Sequence, residues 1–468
     1  MSEDLQQQKF QRMTTAPVER LVCSLAVPSV IGMLISSFYN MVDTFYIGKI
    51  STQATGAIGI VFSYMSLLQA VSFFFGQGSG NYISRQLGGQ RIKEAEKMAA
   101  TGFFTALFLG VLFVVLGLLF MDPFLIFLGA TDTILPEARR YFQFILLATP
   151  FMMESFILNN LLRFQGNAKL GTIGISVGAV LNIVLDPILI FHCQMGIAGA
   201  AIATAASQLV SFLILLFECG RGGGIVIRWR NFSPKWRLYR EIVAGGLPSL
   251  GRQGLASVAA VCLNHAVKPF GDAAIAAFSV VNRVTMMTNA AIIGFGQGFQ
   301  PVCGFNYGAG LYDRVKKGFW FCVKVATAAL LILGVLVFGL AVPIVTVFRK
   351  DDLELIVIAV KALRCQAVTL PLVGWIVVVN MFLQNTRRTA RATIVAAARQ
   401  GLVFIPVLFL AAAVSGLLGI QLAQPISDVL TFLLAIPLGV SALREMRETE
   451  PESEMKHAVQ PAETGEDP

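Results

Sequence analysis

Long apolar runs, separated by short polar stretches, recur twelve times along the chain. A helix needs about 20 apolar residues to cross the roughly 30 Å hydrocarbon core of a bilayer. Unpaired backbone groups are too costly in lipid for open strands, so each run predicts a transmembrane helix. The predicted spans cover residues 21–47, 54–82, 98–120, 138–162, 170–191, 196–218, 242–267, 273–303, 318–341, 355–383, 392–413 and 416–442.

The composition agrees with this pattern. Hydrophobic residues make up 56% of the 468 positions and charged residues only 13%, whereas soluble globular domains carry about 25% charged residues. We therefore expect an all-α integral membrane protein whose main partner is the lipid bilayer.

The distribution of basic residues predicts the orientation. Of the 36 lysines and arginines, 24 lie in the termini and even-numbered connections, and six lie in the odd-numbered ones. Basic residues are enriched on the cytoplasmic side of membrane proteins. Both termini are therefore expected in the cytoplasm, and the net charge of +9 reflects topology rather than nucleic-acid binding.

The two halves of the chain repeat each other at a shift of 220 residues. The sequence Phe-Gly-Gln-Gly at 75–78 recurs at 295–298, and Pro28, Pro123 and Asn160 recur as Pro248, Pro343 and Asn380. Because each half has six spans, the halves share one orientation and are expected to be related by a pseudo-two-fold axis along the membrane normal. The expected divisions are a cytoplasmic tail (1–20), an N-lobe (21–218), a basic linker (219–240), a C-lobe (241–442) and an acidic cytoplasmic tail (443–468).

Several motifs of enzymes and ATP-driven pumps are missing. No G-x-x-x-x-G-K-[ST] loop occurs, so the energy source is expected to be an ion gradient or the membrane potential. The seven cysteines are scattered, and no cofactor is expected. A G-x-S-x-G match at Gly174–Gly178 lies inside an apolar span, where its glycines favour close helix packing over a catalytic elbow.

Two acids within the first half are the main candidates for function. A charge inside the bilayer is costly, so an acid there is expected either to pair with another group or to take part in transport. Asp43 lies six residues before Lys49, and Asp186 lies six before His192, so both are about 9 Å inside the outer edge at 1.5 Å per residue. Helical spacing places polar side chains near them, and Thr204 enters from span 6 at a similar depth. The predicted ion-coupling set is Tyr39, Asn40, Asp43, Asn182, Asp186 and Thr204.

This set suits either a proton or Na⁺. A buried carboxyl can hold a proton, and hard cations prefer oxygen ligands. A Na⁺ site would use Asp43, Asn182, Asp186 and Thr204. The second half does not repeat the acids, since the shift takes Asp43 to Leu263.

Other intramembrane residues receive secondary predictions. Arg252, Arg283, Arg399 and Asp428 in the second half are expected to pair, with Asp428 balancing one arginine. A substrate cavity between the lobes is predicted to include Met153, Glu154 and Phe156, where Glu154 would attract cationic substrate.

The chain resembles the multidrug and toxic compound extrusion (MATE) family over about residues 15–442. The resemblance rests on Asn-Met-Val-Asp-Thr-Phe-Tyr-Ile-Gly at 40–48 after Pro28, the repeated Phe-Gly-Gln-Gly, Pro301 to Tyr307, and Asn182 with Asp186-Pro187. It implies a monomeric twelve-helix antiporter of the inner (plasma) membrane. Such a protein exports organic cations, drugs and other amphipathic compounds against H⁺ or Na⁺ and contributes to antibiotic resistance.

The resemblance also carries the ion-site roles onto Asp43, Asn182, Asp186 and Thr204. One branch of the family uses an acid in helix 7, where this chain has Arg252, Gln253 and Ser257, which favours the MepA-like or DinF-like group. Three alternatives remain at this stage: a flippase of lipid-linked or polysaccharide precursors from the same superfamily, a major-facilitator-type transporter, and a membrane enzyme using Ser176.

Overall fold

The computed structural model of the protein describes residues 3–221, 225–348 and 352–458, so Gly222 to Gly224 of the expected linker lie outside the described residues. The described chain contains fifteen α-helices and no strand. The helices are α1 (Glu3–Thr15), α2 (Val18–Gly48), α3 (Thr52–Gly88), α4 (Ile92–Leu119), α5 (Met121–Phe127), α6 (Leu135–Phe164), α7 (Ala168–Pro187), α8 (Gly196–Arg221), α9 (Trp236–Val267), α10 (Asp272–Gly308), α11 (Tyr312–Gly339), α12 (Ala341–Phe348), α13 (Leu353–Asn385), α14 (Thr389–Ala397) and α15 (Phe404–Ala458).

The long helices account for the twelve predicted spans. Ten stretches of the described chain are long and apolar enough to cross a membrane. The stretch Thr389–Met446 contains two crossings, because the helical backbone breaks at Gly416 (φ 56°). The segments before and after this break pack side by side, since Arg399 of the first forms an ion pair with Asp428 of the second. The less apolar α9 is the remaining crossing.

Three shorter helices were not predicted. α5 and α12 each carry one of the repeated prolines, Pro123 and Pro343, near their start, where a missing backbone N–H costs little. α1 forms within the expected N-terminal tail, and Met13 near its end is buried. The carbonyl of Met13 accepts a hydrogen bond from the amide of Asn306 in the second half.

Each lobe has its own apolar core, but the first turns of two helices cross to the opposite lobe. Val18 to Leu25 at the start of α2 pack into a core formed mainly by α10, α11 and α13. At the corresponding place in the repeat, Leu238 and Ile242 of α9 pack into the N-lobe core. The exchange ties the two lobes together on the side of the molecule that carries both termini.

Glycines allow the lobes to approach closely on this side, which we call the terminal side. A Cβ at Gly78 of α3 would lie 2.3 Å from the carbonyl oxygen of Ile242, and one at Gly298 of α10 would lie 2.3 Å from Cα of Ala26. Gly88 and Gly308 are likewise related by the 220-residue shift, and each faces a backbone carbonyl of the other's helix at 2.0 Å. The repeat therefore has a symmetric inter-lobe contact at its centre, as the pseudo-two-fold axis predicts.

Beyond the terminal side, the first helix of each lobe loses its buried positions. No residue of α2 between positions 30 and 42 is buried, although buried residues flank this stretch at Ser29 and Asp43. The equivalent stretch of α9, between Ser249 and Ala259, also lacks buried residues. The close contact between the lobes is therefore concentrated on the terminal side.

Candidate ion and substrate site

Helices α7 and α8 bring together three of the predicted ion-site residues. The amide of Asn182 donates to Oδ1 of Asp186 at 3.3 Å and lies 3.4 Å from the hydroxyl of Thr204. Asn182 and Asp186 are four residues apart, so they share one face of α7. A π-helical turn, Ile188–His192, follows directly after Asp186 and Pro187, and such turns are frequent at functional sites.

The first helix supplies the second acid. The carboxyl of Asp43 in α2 lies beside the carboxyl of Asp186. Both side chains are buried. The structure therefore places the two carboxyls side by side, and their role in binding the coupling ion stays a prediction.

Several oxygen atoms in this site have no partner. Oδ1 of Asp43, Oδ2 of Asp186 and Oδ1 of Asn182 are buried without a hydrogen bond from any described residue. An unsatisfied buried polar group costs roughly 1–3 kcal/mol, so such a group calls for an explanation. Carboxyl and amide oxygens of this kind fit a proton or a hard cation.

Two tyrosines complete the surroundings of the acids. Tyr39 lies near both carboxyls and shares the wall of a small cavity with Gln208. Tyr141 of α6, which the sequence reasoning missed, is buried near both carboxyls and Thr204. Its signal in the sequence was weak, because it lies near the polar start of its span.

A small polar cavity adjoins the site. It offers about 20 Å³ to the centres of water-sized molecules, which is room for roughly one water or a small ion and not for a drug. Its walls include Tyr39, Phe156, Asn182 and Thr204. Phe156, predicted to line a substrate cavity, instead forms part of this small cavity and packs on Phe73 with ring centroids 5.9 Å apart.

Three predictions need correction. Met153 and Glu154 do not line an inter-lobe cavity, because both are fully buried inside the N-lobe, and neither carboxyl oxygen of Glu154 has a partner among the described residues. Asn40 is not brought to the carboxyls. Its amide donates to the carbonyl of Ser36 at 2.7 Å, one turn back in its own helix.

In the second half, the intramembrane acid Asp428 is paired with a basic residue. Asp428 accepts hydrogen bonds from Arg399 and Gln424, each at 2.9 Å. The predicted pairing of Asp428 with an arginine is thus confirmed. Arg283 is exposed instead, and Nε of Arg252 is buried without a partner among the described residues.

Comparison with known proteins places this arrangement in a family. The MatE family model matches residues 28–188 and 248–410, one match in each half. The chain belongs to the MatE family. It is 27% identical over 423 residues to the multidrug export protein MepA of Staphylococcus aureus (strain MSSA476), covering 90% of this chain and 93% of the relative.

Solved structures show the same fold. The crystal structure of MATE in the straight conformation superposes with a TM-score of 0.89 at 23% identity, covering 94% of this chain and 99% of the other. An outward-facing multidrug resistance MATE family transporter of the MOP superfamily gives the same TM-score and identity, covering 94% and 98%.

Membership of this family makes the chain a multi-pass membrane transporter of the multidrug efflux type and not an enzyme. The packing of the G-x-S-x-G match agrees. Gly174 lies against Leu215 and Gly178 against Ser211 of α8, so these glycines allow close contact between α7 and α8. The major-facilitator and membrane-enzyme alternatives are therefore wrong.

Proposed function

We propose that this MatE protein is a monomeric antiporter that exports cationic and amphipathic drugs in exchange for H⁺ or Na⁺. The observation that carries the proposal is the pair of buried carboxyls, Asp43 and Asp186, with three unpartnered oxygens and an ion-sized cavity beside them. The corresponding positions of the second half lack acids. Ion coupling therefore belongs to the N-lobe.

The proposed cycle uses the two sides of the inter-lobe path. With the terminal side in the cytoplasm, the close contact between the lobes lies at the cytoplasmic end of the path. Uptake of the coupling ion by Asp43 and Asp186 would pull the outer half of α2 towards α7, and the helix would bend at Pro28. Proline removes one backbone hydrogen bond within a helix and so creates a natural bending point.

Bending would displace the drug because α2 borders both the ion site and the inter-lobe path. It has no buried residue between Ser29 and Asp43, so few core contacts oppose bending in this stretch, while Ile47 at its outer end stays packed in the N-lobe core. Thr172 of α7 donates to the carbonyl of Pro28 at 2.9 Å. This bond fixes the point about which the outer half would turn.

The Asp43→Asn variant tests the proposal, because asparagine keeps the shape but cannot take up a proton or bring a charge to a cation. We expect active drug efflux to fall at least about tenfold, measured as ethidium extrusion from cells with matched expression. The control is Asp122→Asn, since Asp122 is exposed and paired with Arg139. Unchanged efflux in Asp43→Asn would reject the assignment.

A further inference from the structure

A second cavity lies at the terminal-side end of the inter-lobe contact, away from the ion site. It has a volume of about 550 Å³. Its wall combines the ends of α3, α9 and α13, so both lobes contribute. The charged side chains lining it are Arg85, Arg237, Arg240, Glu241 and Arg387.

The acid that lines this cavity, Glu241, is already paired with two of the arginines. Glu241 pairs through one oxygen with Arg85 at 3.0 Å and through the other with Arg387 at 2.5 Å. Within the described residues, Arg237 and Arg240 form no ion pair. Four arginines against one glutamate leave three positive charges in excess around the cavity.

Another acid near Arg237 does not remove this excess. Glu94, at the start of α4, is hydrogen-bonded to Lys97 at 2.8 Å. Glu94 is not part of the cavity wall. Arg237 and Arg240 are exposed, so an anion that reaches the mouth of the cavity can pair with them.

We propose that this cavity binds a phosphate group, supplied by the headgroup of an anionic phospholipid. The planar guanidinium group of arginine binds phosphate oxygens through two parallel hydrogen bonds. The hydroxyl of Thr389 and the amide of Gln384 in the same wall offer further donors to phosphate oxygens.

The surroundings favour a lipid over a soluble anion. Trp236, next to Arg237, is 80% exposed, and Trp229 in the preceding segment is 68% exposed. Exposed tryptophans are typical of the level of the lipid headgroups, and basic pockets between transmembrane helices bind anionic headgroups. The cavity therefore lies where a phosphate from the bilayer surface reaches it.

Occupation of the cavity has a conformational consequence. Arg85 belongs to the N-lobe, while Glu241 and Arg387 belong to the C-lobe. An anion held by Arg85 with Arg237 and Arg240 adds a further link across this contact. The bound lipid would stabilise the conformation that is closed on the terminal side.

The test compares two double variants in nanodiscs. Arg237→Gln with Arg240→Gln removes two arginines of the cavity wall, whereas Arg228→Gln with Arg230→Gln removes two arginines of the preceding segment that are equally exposed but lie outside the wall. The melting temperature is measured in nanodiscs of pure phosphatidylcholine and in nanodiscs that also contain about 30 mol% phosphatidylglycerol. A third arm adds inorganic phosphate to the phosphatidylcholine discs.

We expect phosphatidylglycerol to raise the melting temperature of the unmodified protein by about 3–5 °C. The increase should persist in the Arg228/Arg230 variant and disappear in the Arg237/Arg240 variant. If inorganic phosphate reproduces the increase with the same residue dependence, the site stands and its ligand is a soluble phosphate. Equal responses of the two variants, or no response of the unmodified protein to either ligand, would overturn the proposal. The readout does not depend on transport, so it is independent of the proposed antiport.

Discussion

At the residue scale, the buried acid of the C-lobe has hydrogen-bond donors around it, whereas the two buried acids of the N-lobe keep oxygens without a partner among the described residues. Asp428 is surrounded by donors from Arg399 and Gln424, so its charge is balanced in place. Asp43 and Asp186 have no basic partner among their described contacts and keep unpartnered oxygens. This contrast is the reason that we propose ion exchange at Asp43 and Asp186 and not at Asp428.

The first prediction concerns the structural pair. Asp428→Asn leaves the largely buried Arg399 without its counter-charge, and removing one partner of a buried ion pair costs about 3–5 kcal/mol of unfolding free energy. The exposed pair tested by Asp122→Asn should cost about 1 kcal/mol or less. Thermal unfolding in detergent measures both. Equal stability of the two variants would show that Arg399 does not depend on Asp428.

A second prediction concerns pH and the end of the C-lobe. Hydrogen bonds, from Arg391 first and then from Arg388, lower the pKa of Glu445 to about 2, against the opposing effect of partial burial. A lowered pKa means that the charged form stabilises the fold above the unfolded pKa of about 4.3. The contribution is lost as the pH falls from there towards 2.

The measurement is the difference in melting temperature between the unmodified protein and Glu445→Gln. It should be small, because the pair is partly exposed, constant from about pH 7 to 5, and shrinking below about pH 4. The exposed Asp132→Asn serves as control. A difference that grows on acidification would contradict the sign of the pKa shift.

Four site residues could be predicted from the sequence because their depth and helical spacing are set by single helices. Asp43, Asn182, Asp186 and Thr204 are of this kind. Tyr141 could not be predicted, since its place in the site depends on how α6 packs against the other helices. Glu154 was misplaced for the same reason: spacing indicates a face of α6 but not which neighbour covers it.

At the element scale, the close contact between the lobes depends on glycine. The repeated Phe-Gly-Gln-Gly was recognised in the sequence as a sign of duplication. The structure adds its physical role, because Gly78 and Gly298 face the backbone of the opposite lobe's first helix. The pattern of apolar positions could not reveal this contact, since small residues carry little hydrophobic signal.

The third prediction tests that contact with Gly298→Ala. A Cβ there meets Cα of Ala26 at 2.3 Å, so the lobes must separate on the terminal side. Spin labels at the exposed positions Lys93 and Asp313 should report a new population at longer distance. Gly251→Ala is the matched control, because a Cβ at that position has no neighbouring atom within 4 Å. An unchanged distance distribution in Gly298→Ala would show that the contact yields by local adjustment.

At the scale of the whole molecule, the architecture is symmetric and the chemistry is not. The spans and the 220-residue repeat predicted the twelve crossings and the two lobes, because both follow from apolar run lengths. The crossed first turns of α2 and α9 and the short helices α1, α5 and α12 depended on tertiary contacts that no single run encodes. The acids of the N-lobe then distinguish the half that we propose binds the ion from the half that repeats only its fold.

The central claim is that an ion gradient drives drug movement through Asp43 and Asp186. The most direct measurement is uptake of a cationic drug into proteoliposomes that contain the purified protein, without ATP, under an imposed H⁺ or Na⁺ gradient. The account predicts accumulation against the drug gradient with one of these ions, and its loss in Asp43→Asn and Asp186→Asn. Accumulation that persists in both variants, or that needs neither gradient, would contradict it.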